Sequence, residues 1–188
     1  TDRPSGAGPG PAASSPVASA HGDILTGSAA IGYVDLRDWM SGWKDVALVR
    51  IEAVGPSRWN SADGSRPSEA AVHGPPPDPN GDRFLIGRLV DVRLVRTYRG
   101  RWTTDELATY FSPGGVLGGD RFDPELPDPS YEAGQLAVAG LLQKPGDVGA
   151  DGPVPVQVAW LFPITADRVL TLDPAEEVRI QDVPSMLP

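Results

Sequence analysis

The chain contains no cysteine, and only two histidines, two lysines and two asparagines. Without cysteine there is no disulfide, no thiolate metal ligand and no cysteine nucleophile, and the chain suits any redox compartment. The histidines, His21 and His73, lie in separate Gly/Pro-rich stretches with no acidic neighbour at a ligand spacing, which argues against a catalytic triad or a zinc site. No run of about 18 apolar residues occurs, so no transmembrane helix is expected. The first residue is Thr1 rather than methionine, which suggests that a secretion signal or lipid anchor preceded it. Scarce lysine beside fourteen arginines is the mark of a GC-rich genome and carries no functional weight.

What is abundant is glycine, with 22 residues, and proline, with 21, in a chain of 188 residues that is 40% apolar. That balance supports one core built from short strands and many turns. Residues 1–22 are Pro, Gly, Ser and Ala with almost no apolar bulk, too little to fold alone. They read as an arm or tether, followed by a single β-barrel domain over 23–183 with long loops at 55–82 and 112–133, and a tail over 184–188.

The central feature is the stretch from Arg83 to Gly115, read as a long hairpin. Phe84, Ile86, Val90, Val92, Leu94 and Tyr98 alternate with polar residues at period two, as in a strand with one buried face. Leu85, Leu89 and Val95 break the alternation, so both faces are partly covered or a bulge shifts the phase, with Gly87 the expected bulge or bend. A long bent strand of this kind turns the corners of small closed barrels. Before it, Leu36, Trp39, Met40 and Trp43 fall on one helix face behind Asp35 as N-cap, predicting a short helix that plugs a barrel end or covers a sheet. The first barrel strand follows over 45–54. Residues 112–133 read as an irregular excursion, and apolar strands follow near 135–143, 155–164 and 168–172, with a last one near 178–181.

Several of these elements, in this order, carry a resemblance: the helix, ALVRIEAV, the WNSADG turn beginning at Trp59, a basic strand ending in Tyr98, Arg99 and Gly100, then YFSPGGVLGG, and YEAGQ from Tyr131 to Gln135. Over residues 36–172 the chain resembles a loosely defined group of bacterial extracytoplasmic domains with OB-like barrels of the netrin and tissue-inhibitor kind, without their disulfides. Gln135 stands where that pattern has an acid, and Ala53 where it has glycine. The resemblance implies a fold and an extracytoplasmic location, and brings no activity with it.

Charge is segregated. Residues 83–101 carry six basic groups and one acidic one, inside a chain of net charge −9. The arginines are expected to pair with carboxylates of neighbouring strands. Binding of single-stranded nucleic acid through Arg88, Arg93, Arg96 and Tyr98 is the weaker alternative, because an acidic protein repels phosphate. Asp120, Asp123, Glu125 and Asp128 lack the order of a calcium loop and read as turn residues. The same acids with Glu132 supply the other alternative, a carboxylate-based enzyme acting on glycans.

The sequence thus predicts an all-β protein: a small OB-like β-barrel with one short capping helix and an extended N-terminal arm. Its expected role is that of a non-catalytic, secreted or surface-anchored structural or interaction module. It would use no cofactor, metal or nucleic acid, and its partner would be another protein or a further copy of itself. The expected contact residues are Ile24 and Leu25 in the arm, with Trp59 and Trp102 added if they are exposed.

Overall fold

A computed structural model describes residues 24–27, 36–74, 84–124, 129–142, 156–170 and 177–187. The expected arm, residues 1–22, lies outside the described residues. In chain order the elements are β1 (Ile24–Gly27), α1 (Leu36–Gly42), β2 (Asp45–Trp59), α2 (Glu69–His73), β3 (Ile86–Arg99), β4 (Leu107–Pro113), β5 (Gly115–Leu117), β6 (Asp120–Pro124), β7 (Leu136–Leu141), β8 (Val158–Thr165), β9 (Arg168–Val169), β10 (Val178–Arg179), a 3-10 turn (Ile180–Asp182) and α3 (Val183–Met186).

The period-two pattern of β2 and β3 produces the wall of a barrel. Strands β4, β3, β2, β7 and β8 are hydrogen-bonded in that order, and β8 returns to β4 through the parallel pair Tyr110↔Val158, closing a five-stranded ring. All other neighbours in the ring are antiparallel. The fold is the small, OB-like, all-β barrel expected from the sequence. The inward set is Ala47, Val49 and Ile51 from β2, Val90, Val92 and Leu94 from β3, and Ala137, Ala139 and Leu141 from β7, all at most 2% exposed. At roughly 1.5–3 kcal/mol for each large aliphatic side chain removed from water, this layer contributes substantially to stability.

Two residues outside the strands complete that core. Trp102 enters at the β3–β4 turn, where its indole N–H donates to the Leu142 carbonyl at 3.1 Å. Tyr131 enters ahead of β7, donates its hydroxyl to the Leu161 carbonyl at 3.0 Å, and meets Tyr110 edge-to-face at 5.9 Å.

The bends that let the sheet close lie between β2 and β3, where the register shifts four times: at Val46/Ala47, Leu48/Val49, Ile51/Ala53 and Val54/Ser57. The expectation of a bulge at Gly87 is corrected. Gly87 pairs regularly with Arg58 and Pro113, and it is glycine because a Cβ there would lie 2.3 Å from the Ser112 carbonyl and 2.6 Å from the Phe111 ring. The irregularity lies partly on the opposite strand, which explains why Ala53 is exposed while Ala47, Val49 and Ile51 are buried.

The outward side chains of β2, β7 and β8 form a second core. Val46, Val138, Trp160 and Phe162 are covered there by Leu36 and Met40 of α1 and by Val183 of α3. The capping helix therefore covers the barrel wall rather than its end. Arg99 fastens it, donating to the carbonyls of Met40 (2.5 Å) and Trp43 at the C-terminal end of α1, where a cation is favoured.

Three local expectations are revised. The segment 55–82 is not structureless throughout, since α2 forms with the Ser68 hydroxyl accepting from Ala71 N–H. The excursion 112–133 contains an ordered hairpin, β5–β6, whose two-residue turn is Gly118 (φ 61°) and Gly119 (φ 99°), a pair of positive angles that glycine adopts freely. Within the expected tail, Met186 and Leu187 are half-buried against the second core, while Pro184 and Ser185 are exposed.

Candidate functional site

Beyond the barrel, at the end of β2, the chain builds a third, smaller core. Trp59, Ile86 and Phe122 are buried together, with Val72, Phe84, Leu85 and Leu117 packed against them. This core joins three segments that are remote in sequence: the WNSADG turn with α2, the start of β3, and the β5–β6 hairpin.

Local chemistry fixes the turn. Arg58 bends over it and donates to the carbonyls of Ser61 (2.9 Å) and Ala62 (3.1 Å). Gly64, with φ 79°, returns the chain to Trp59. Asp63 accepts from the Ser65 hydroxyl and the Ser65 backbone N–H, and these bonds hold its carboxyl below the usual carboxylate range. Asn60 is buried, and its Oδ1 accepts from Leu85 N–H at 2.9 Å, so the side chain continues the β2–β3 ladder beyond the last strand pair.

Arg66 joins this turn to the hairpin. Its Nη1 donates to Glu69 Oε1 at 2.5 Å and its Nε to Asp120 Oδ2 at 2.7 Å, while the guanidinium lies over the Trp59 ring, 5.7 Å from its centroid. The bonds to Glu69 and then Asp120 raise its pKa above the already high arginine value. The Asp120 side chain is only 3% exposed, so the guanidinium neutralises a carboxylate that would otherwise be buried as a bare charge.

Asp120 opens β6, and one edge of β6 takes up β5 while the other takes up β1. The β1–β6 pair is parallel, with Ile24↔Arg121, Leu25↔Phe122, Thr26↔Asp123 and Gly27↔Pro124. The resulting sheet, β1-β6-β5, shares no strand with the barrel. It is an accessory sheet in which an N-terminal segment is received by main-chain pairing, a common mode of peptide recognition.

The residues singled out from the sequence are distributed unevenly over this arrangement. Ile24 and Leu25 lie in β1, in register with Arg121 and Phe122 of the same chain. Trp59 and Trp102 do not meet the condition of exposure: at 1% and 3% they are core residues, and the expectation that they meet a partner is corrected. Trp59 is enclosed by Ile86, Phe122 and Arg66, and Trp102 lies inside the barrel.

Of the basic stripe, Arg93 pairs with Glu52 across the sheet at 3.0 Å, Arg96 lies over Tyr98 at 5.5 Å and Arg99 holds α1. Of the acids, Asp120 is engaged by Arg66, Asp123 pairs with Arg121 at 2.7 Å, and Glu132 is exposed, while Glu125 and Asp128 lie outside the described residues. His73 is 3.4 Å from Glu69 with both side chains half exposed, and His21 is outside the described residues. Among the described residues no three His, Asp or Glu side chains converge as a metal site requires, and no helix is long and apolar enough to cross a membrane.

Compared with known protein families, curated proteins and solved structures, the chain matches none. The accessory sheet and its receiving edge on β6 are therefore assessed on their geometry alone. Sequence reading missed both Arg66 and the β6 edge. The signal that could have shown the β6 edge was the Gly118–Gly119 pair, the two-residue turn of a hairpin; Arg66 has no local signal, because its partner Asp120 lies 54 residues away.

Proposed function

We propose that the protein is a non-catalytic, extracytoplasmic structural or protein-interaction module, an assembly subunit that works through its N-terminal segment. The observation that carries this reading is the parallel addition of Ile24–Gly27 to the edge of β6, outside the barrel. Strand addition draws its affinity from main-chain hydrogen bonds, and a short arm suffices to supply them. The Pro, Gly, Ser and Ala composition of residues 1–22 suits a tether ahead of that strand, and the absence of cysteine places no demand on the compartment. The resemblance to extracytoplasmic OB-like domains agrees with this reading. A partner made of protein fits the acidic chain better than nucleic acid does, because its net charge of −9 opposes a phosphate backbone.

The test is fractionation of the native host, with the gene tagged at its C-terminus and otherwise unaltered. The expected result is recovery from the envelope or the medium, in a complex larger than the tagged monomer after crosslinking in intact cells. Recovery from the cytosol as an uncrosslinked monomer would overturn the reading.

A further inference from the structure

We draw no further inference here: the strongest candidate, the outer face of β2, β3 and β4, where Arg50 stands opposite Arg93 and Leu107 is 54% exposed, interleaves its arginines with Glu52 and Asp91, so charge selects no partner, and nothing in the structure shows what covers it.

Discussion

At the scale of single residues, what distinguishes the ion pairs is how far each is removed from water. Arg66 and Asp120 meet at 2.7 Å with the carboxylate side chain 3% exposed, whereas Arg168 and Glu177 meet at the same distance with 51% and 69% of their side chains in solvent. Arg66→Ala strands a buried charge and is expected to cost about 3 kcal/mol, while Arg168→Ala is expected to cost less than about 1 kcal/mol. Urea unfolding of the two variants measures the contrast, and equal midpoints would contradict it. Tyr98 provides a pH signature. Burial raises its phenol pKa above the ordinary value, opposed by the nearby Arg96. A phenol that holds its proton more tightly when folded adds stability that is intact below the unfolded pKa of about 10 and is lost as pH rises through the folded value. Stability of the parent is therefore expected to fall more steeply above pH 10 than that of Tyr98→Phe, with the two equal near pH 7. Parallel curves throughout the alkaline range would refute it.

At the scale of elements, α1 is held to the wall by apolar packing and by one cation at its C-terminus. Leu36 and Met40 supply the packing, and Arg99 supplies hydrogen bonds to Met40 and Trp43. Arg99→Met keeps an apolar stem and removes the donors, so a loss of about 1–2 kcal/mol is expected. The edge-to-face pair of Trp43 and Trp160, 6.3 Å apart, makes near-ultraviolet circular dichroism a local reporter of that loss. A variant with unchanged stability and unchanged dichroism would show that packing alone holds the helix. The accessory sheet depends on other forces: the β5–β6 hairpin is anchored by Phe122 in the small core and by Asp120 on Arg66, and it presents the β6 edge to β1. The alternation in β3 and the helical spacing of Leu36 and Met40 were legible because each is a periodic signal contained within one element. The β5–β6 hairpin was legible only as a Gly-Gly turn, because its three-residue strand is too short to show a period.

At the scale of the whole molecule, the barrel is closed by contacts between distant parts of the chain, β2 with β7 and β4 with β8. Such non-local closure predicts folding in milliseconds to seconds, which stopped-flow tryptophan fluorescence will measure; completion within microseconds would exclude it. The sequence by itself determined the class of the fold: alternating apolar residues, frequent Gly and Pro, and one amphipathic helical turn point to an all-β domain with a short helix. It also determined that no thiol chemistry is possible. Only the tertiary structure decided where the tryptophans and carboxylates serve. Trp59 and Trp102 read as candidate contacts in loops, but ring closure and the β5–β6 hairpin enclosed them. Asp120 read as part of an acidic loop, and became the buried partner of an arginine 54 residues earlier in the chain. Periodicity is a local property that neighbouring residues impose on one another. Burial and pairing depend on which distant segments meet, and in this chain that was settled by the closing of the barrel and the packing of the hairpin on its end.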